Sequence, residues 1–448
     1  MADTAAILPA APTASASTDV TGIGKCKLFV VVLIVVGLAE AIGQASFKLG
    51  PGQVVLLPML WALLIAATWG IAQRYVPAPV RITTGLQSYA GGLLNAGLLL
   101  FIVKLGLTVG GALPEIRQAG WALLFQEFGH AFGTLVLALP LALLLGIKRE
   151  AVGATFSVGR EGNLVIIGEK YGMASPEGRG VLAEYITGTV LGALFIAVFA
   201  GFITSLQIFD PRSLAMGAGV GSGSLMAAAM GAIAAQQPAE LVPQLTAIAA
   251  AANLITVVFG FYFTLFLSLP ATSWLYDKFE PILGRFSKRK PIETAELAGA
   301  GDEMKDLPFA DKAVSWMLIA AGVTLGNWLS FKVAPVQSLT GMAIIVAMVA
   351  IVEVAKRLIP KMPLVLVLSL VATAVGVPGL FPFSDTVVAL ASELNFLAFT
   401  TPVLAIAGFS VAKDLPIFRQ LGWRIVVVSL TATAGTFLGA TLIAELFH

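Results

Sequence analysis

The chain has 448 residues, of which 58% are hydrophobic and 12% charged. Soluble globular proteins carry roughly 25% charged residues, so the balance excludes a soluble domain and points to lipid. The net charge of +2 comes without a basic stripe interleaved with aromatics outside one loop, which excludes a nucleic-acid surface. The single Cys26 and the two histidines exclude an internal disulfide and a histidine-rich metal centre.

Residues 1–26, rich in Ala, Thr, Ser and Pro, read as a disordered tail. The apolar run after Lys25 and Lys27 exceeds a typical signal-peptide h-region and lacks a convincing cleavage site, so a retained first helix is expected. Apolar windows near the ~20 residues that span a bilayer then recur along the chain. They lie at Leu28–Phe47, Val54–Arg74, Ser88–Leu105, Trp121–Gly146, Val181–Ile203 and Leu245–Leu269. Five more follow, at Ser315–Leu329, Met342–Val354, Leu364–Val375, Phe396–Val411 and Trp423–Leu446. This pattern predicts an all-α, polytopic membrane protein of about ten transmembrane helices.

Lysine and arginine sort the loops. Residues 271–313 hold seven of them, and Lys25/Lys27, Arg74/Arg81, Lys148/Arg149 and Lys356/Arg357/Lys361 fall on the same side if helices alternate. By the positive-inside rule that side is cytoplasmic. The N-terminus is then inside, and residues 234–243, without a basic residue, face outward.

Internal repeats are legible. Leu113-Pro-Glu-Ile-Arg-Gln-Ala-Gly-Trp121 returns as Leu415-Pro-Ile-Phe-Arg-Gln-Leu-Gly-Trp423, six of nine positions being identical. The same offset pairs Gly106 with Gly408 and Gly133-Thr134 with Gly435-Thr436, while Ser46-Phe47-Lys48 matches Ser330-Phe331-Lys332. A weaker repeat aligns Val158-Gly159 and Pro176 with Val220-Gly221 and Pro238. The expected organisation is a first repeat unit (27–147), a central module with two Gly-rich broken segments (148–270), a cytoplasmic linker (271–313) and a second repeat unit (314–448). The loop charges leave the two outer units parallel. Repeated units around a midplane site are a common build of secondary transporters.

Three clusters carry candidate chemistry. Gly217 to Gly223 places four glycines in seven residues, with Ser222 and Ser224 at its end. Each glycine costs a helix about 1 kcal/mol against alanine, and irregular backbone at membrane depth is tolerated only inside protein or against a cavity. A Gly/Ser turn between two short helices would aim free N–H groups of Gly221 and Gly223 and the two hydroxyls at one point. The alternative is close helix packing through small residues. The second cluster is Ser157-Val-Gly-Arg-Glu-Gly-Asn163. Here Arg160 would hold a carboxylate bidentately, Glu161 would be its counter-ion or a proton or cation ligand, and Asn163 would orient the solute. The alternative is a solvated Arg–Glu pair in a cytoplasmic loop. The third is Gln126, Glu127 and His130, mid-helix; Glu127 and His130 are three apart and share a face. They read either as a proton or cation carrier tuned by His130 or as a buried structural pair. Glu40, Lys104 and Asn253 are lesser candidates; Lys104 reads as snorkelling, and Glu184 and Glu353 as interfacial.

The segments VGREGNLVIIGEKYG, SPEGRGV and GVGSGSLMAAA resemble an uncharacterised family of bacterial inner-membrane proteins known only as a domain of unknown function. More loosely, the Gly-rich breaks are similar to those of sodium/glutamate, 2-hydroxycarboxylate and lysine-exporter type carriers. That resemblance implies an elevator-like carrier with a scaffold and a moving core, although here both breaks sit mid-chain rather than one per half. The expected function is a secondary transporter of a small carboxylate or amino acid, coupled to protons or Na⁺, in a bacterial inner membrane. The alternative is a passive channel or holin-like pore. No enzyme constellation, cofactor or nucleic-acid partner is expected; the partners are the solute, the coupling cation and the bilayer, with a homodimer left open.

Overall fold

The computed structural model describes residues 20–49, 52–112, 120–158, 161–172, 175–219, 221–286, 307–360, 362, 364–413 and 422–447. Residues 1–19 of the tail, most of the Leu-Pro-x-x-Arg-Gln-x-Gly-Trp elements and residues 287–306 of the linker lie outside them; the expected tail is already helical from Gly22, and helices enter both ends of the expected linker. The first part of the chain forms α1 (Gly22–Ile42), a hairpin of β1 (Ala45–Leu49) and β2 (Gly52–Leu56), α2 (Pro58–Ile71), α3 (Thr84–Gly111) and α4 (Ala122–Leu144). The centre forms α5 (Glu150–Thr155), α6 (Glu161–Lys170), and α7 (Pro176–Thr187), which continues through a π-helical turn into α8 (Ala193–Ser205). Next come α9 (Pro211–Gly219), α10 (Gly223–Ala234), and α11 (Val242–Phe263), which runs through a second π-helical turn into α12 (Leu269–Leu283). The last part forms α13 (Phe309–Phe331), α14 (Pro335–Leu358), α15 (Leu364–Gly376), α16 (Ser384–Ser392), α17 (Phe396–Ala412) and α18 (Trp423–Glu445).

Among the described residues seven helices are long and apolar enough to cross a membrane. An eighth arises if α16 and α17, bent by 68°, make one span. The remaining apolar windows are shorter helices of 10–17 residues, among them α2, α10 and α15. Among the described residues the strands are those of the β1–β2 hairpin, where Ala45 pairs with Leu56 and Leu49 with Gly52. Local sequence explains the helix ends. Pro58, Pro176, Pro211 and Pro335 each open a helix, where a missing N–H costs nothing. Thr21, Ser175, Ser222 and Asn395 cap α1, α7, α10 and α17 by accepting a backbone N–H.

The expected parallel relation of the outer units holds for one helix pair and is reversed for another. α1 and α13 run side by side in the same direction: Lys25 pairs with Asp311 at 2.5 Å, Gly37 faces Leu325, and Glu40 meets Ser330. α4 and α18 are antiparallel, with Gly129 on Gly439 and Gly133 on Gly435. At that crossing the matched hydroxyls of Thr134 and Thr436, 302 positions apart, lie 2.5 Å from each other. The reason is topological. Between the matched blocks the first unit makes two helical passes (α2, α3), and the second makes three (α14, α15, α17), the short α2 and α15 included. The extra pass reverses the chain. The first matched block also changes form: Ser46-Phe47-Lys48 is strand, whereas Ser330-Phe331 ends a helix on left-handed Lys332.

Glycine sets the helix spacing at these contacts. A Cβ on Gly133 would lie 2.1 Å from the carbonyl oxygen of Gly435, and one on Gly129 2.1 Å from that of Gly439. Matched Gly106 and Gly408 do the same work on α15 and α2, facing Ser369 and Leu63 carbonyls respectively.

Candidate functional site

The two broken segments of the central module fold back as hairpins. Asp210, just before α9, donates its N–H to Glu445 at the end of α18 (3.1 Å). Gly217, further along α9, sits against Phe437 and Thr441, so α9 runs inward. The chain turns at Gly221, whose φ of 105° disfavours any side chain. α10 then runs back out along α8: Leu225 faces Gly192, and Gln236 donates to the Gly201 carbonyl at 2.8 Å. The α5–α6 hairpin enters from the other end. Arg149 meets Asp277 on α12, Phe156 at the turn receives the Ser268 hydroxyl, and Tyr171 beyond α6 reaches Ser273. With nine to twelve residues per limb, α9 and α10 extend roughly 14–18 Å, about half of a ~30 Å hydrocarbon core.

Both turns open on one cavity of about 510 Å³. Ser157 and Asn163 line it from the first hairpin, and Gly221, Ser222 and Gly223 from the second. Helix α11 adds Asn253, Thr256 and Gly260, the adjoining π-helical turn adds Thr264, and α4 adds His130. The opposite wall is mostly apolar: Leu98, Leu99, Ile102 and Val109 of α3, with Asn95 and, from α15, Val365 and Ser369.

The polar end is built from short-range chemistry. Ser222 accepts the N–H of Leu225 (3.3 Å) as N-cap of α10 and shares a hydrogen bond with Ser224 (3.1 Å). Asn253 donates to the carbonyls of Gly219 (2.8 Å) and Gly221 (3.3 Å), clamping the turn to α11. A Cβ on Gly223 would meet nothing within 4 Å, so this first turn of α10 faces open space. Asn163 is 3% exposed, and its amide nitrogen has no hydrogen-bond partner among the described residues. Glu127 is buried one layer behind the wall. It accepts the hydroxyl of Thr256, a cavity residue, and the amide of Gln126 at 3.0 Å.

Of the residues singled out from sequence, Asn163, Gly221, Ser222, Gly223 and His130 therefore share one cavity. Ser224 touches it through Ser222, and Glu127 through Thr256. Arg160 lies outside the described residues; Glu161 opens α6, with its side chain outside the described part. Lys104 does not snorkel: it is buried and donates to the Ala391 carbonyl at 2.7 Å. Glu353, near the end of α14, is buried in an ion pair with Lys312, and Glu184 is fully buried. Both sit on helix faces that other helices cover, which charge near a helix end does not reveal. Sequence reading passed over Asn95, Thr256, Thr264 and Ser369. The signal for two of them was present: Asn253, Thr256, Gly260 and Thr264 recur at helical spacing as a polar stripe on an apolar helix.

A helical bundle of several membrane spans, with two opposed hairpins meeting at an internal cavity that has a polar end and an apolar wall, defines a polytopic integral membrane protein. Residues 37–278, more than half of the chain and including both hairpins, match a family described as "Protein of unknown function (DUF3100)", and the chain belongs to that family. No curated protein and no solved structure matches it.

Proposed function

We propose that this protein is a secondary active transporter. It would carry a small organic solute bearing a carboxylate across a bacterial inner membrane, N-terminus inside, by elevator-like alternating access. The observation that carries the reading is the convergence of two hairpin turns, entering from opposite ends, on one cavity. Helix breaks of this kind supply backbone N–H groups and hydroxyls to a solute where an intact helix supplies none. Ser222 and the Asn163 amide would orient the polar end, and the α3 and α15 wall would take an apolar body. Arg160 falls in sequence between the lining residues Ser157 and Asn163 and is the assigned partner of the carboxylate.

Coupling is assigned to Glu127 and His130, with Glu161 as a second ligand. Glu127 accepts the hydroxyl of Thr256, which lines the cavity, and the amide of Gln126. That contact supports a link between the carboxyl and cavity occupancy.

The test is uptake by proteoliposomes offered labelled carboxylates and amino acids, with and without an imposed H⁺ or Na⁺ gradient. Gradient-driven accumulation that falls at least about tenfold, some 1.4 kcal/mol, in Arg160→Ala and Asn163→Ala is the expected result. Downhill flux indifferent to both gradients would replace this reading with a passive channel.

A further inference from the structure

A second polar cavity lies away from the hairpins, among α1, α2, α13 and α17. It measures about 210 Å³ and is lined by Glu40, Gln44, Ser330, Thr400 and Thr401, with Met59 and Leu397 among its apolar walls. Glu40 is 7% exposed and sits in the last turn of a membrane-spanning helix. Ser330 donates its hydroxyl to its carboxylate, and the Thr401 hydroxyl, which reaches the Leu397 carbonyl at 3.5 Å, lines the cavity beside it. It takes part in no ion pair among the described residues. The nearest basic side chain in sequence to these lining groups, Lys332, is turned away and donates to the Leu329 carbonyl at 2.7 Å.

An ionised carboxylate buried with hydroxyls alone is left with its charge uncompensated, which membrane proteins tolerate poorly. The surrounding groups are all oxygen donors. A hydroxyl that gives its proton to Glu40 keeps lone pairs for another partner. Gly326 on α13 leaves room for the carboxylate: a Cβ there would lie 3.2 Å from Oε1 of Glu40. One carboxylate, the hydroxyls of Ser330, Thr400 and Thr401 and the Gln44 amide make a hard-oxygen set carrying a single negative charge, which suits a monovalent metal cation rather than a divalent one.

We propose that this cavity is a monovalent cation site, with Na⁺ its probe, in which Glu40 supplies the charge and Ser330 and Thr401 supply neutral oxygens. It is separate from the hairpin cavity and does not rest on the transport reading. Occupancy ties α1 to α13 and α17, so the cation acts as a clamp on this half of the bundle.

The experiment is thermal unfolding of the purified full chain in NaCl, KCl and choline chloride at equal ionic strength, alongside ²²Na⁺ binding. A saturable rise of Tm in Na⁺ over choline is expected from ligand linkage. That rise disappears in Glu40→Gln and is shifted to at least about tenfold higher Na⁺ in Thr401→Val. It persists in Asn163→Ala, which alters only the hairpin cavity. Thr401→Val decides the matter if Glu40→Gln fails to fold. A wild-type chain with no difference between Na⁺ and choline overturns the proposal in favour of a protonated acid, and so does an unchanged Na⁺ response in both variants.

Discussion

Asn163, Glu127 and Gly223 differ in how far a single side chain decides what happens at the hairpin cavity. Asn163 is buried with a free amide donor, a state that costs about 1–3 kcal/mol unless something accepts from it. Its truncation to alanine should therefore leave folding intact or slightly improved while raising the solute KM, read by uptake kinetics in proteoliposomes. Glu127 is hydrogen-bonded to Thr256 and Gln126, so Glu127→Gln keeps a polar group of the same shape and removes only the charge. Loss of gradient-driven accumulation with solute exchange retained would place coupling at Glu127, whereas loss of both would make it a structural link between α4 and α11. Gly223 faces open space, so Gly223→Ala should hold wild-type Tm and still weaken transport, by putting a methyl group where the solute's polar end sits. These residue types were readable from sequence because each is improbable in an apolar chain. Their assembly into one wall was not, because residues 127, 163, 223 and 256 meet only after four elements have packed.

At the scale of elements, close helix contact rests on bare backbone. Gly129 and Gly133 on α4 face Gly439 and Gly435 on α18, and the carbonyl of each glycine in the central pair lies where a side chain on its partner would go. Without a hydrophobic driving force in lipid, such backbone approach is a principal source of helix association. Gly133→Ala or Gly435→Ala should cost about 1–3 kcal/mol as overpacking, seen as a lower Tm in detergent. An alanine at Gly111, where the nearest atom would be 3.9 Å away, should not. The hairpins have a similar logic: Gly153 of α5 faces the Glu177 carbonyl, and Gly180 of α7 the Glu150 carbonyl, with Arg179–Glu150 and Arg149–Glu177 pairs alongside at 3.0 and 2.6 Å. From sequence, glycine density signalled a break at 217–223 but not the direction of the limbs. A straight broken span and a hairpin have the same composition, and the contacts of the two limbs, Asp210 on Glu445 and Gln236 returning to Gly201, tell them apart.

For the whole molecule the opposed hairpins make a topological claim that chemistry can check. Gln207 and Gln237 flank the α9–α10 hairpin at one end of the bundle, and Lys278 lies on α12 by the entry of the other. With Cys26 replaced by serine, single cysteines at Gln207 and Gln237 should react with an impermeant maleimide from the same face of oriented vesicles. A cysteine at Lys278 should react only from the opposite face; labelling of Gln207→Cys and Gln237→Cys from different faces would mean that α9 and α10 together cross the membrane.

What the sequence by itself determined is the class. Twelve per cent charge, recurrent apolar windows and a glycine run between short helices are compatible only with a helical membrane protein whose backbone is broken somewhere inside. It also marked the polar residues that such a break would use, since a charge or amide in hydrocarbon is conspicuous in one dimension. The tertiary structure alone decided orientation and neighbourhood. It reversed α18 against α4, because an extra helical pass in the second half turns the chain around. It buried Glu353 and Lys104, which hydropathy left at the surface, because the faces of helices are assigned by their neighbours. It also separated Glu40 from the hairpin cavity into a pocket of its own, walled by helices more than 280 positions apart in the chain. Hydropathy and spacing are local quantities, and these outcomes are set by which helices come to lie side by side.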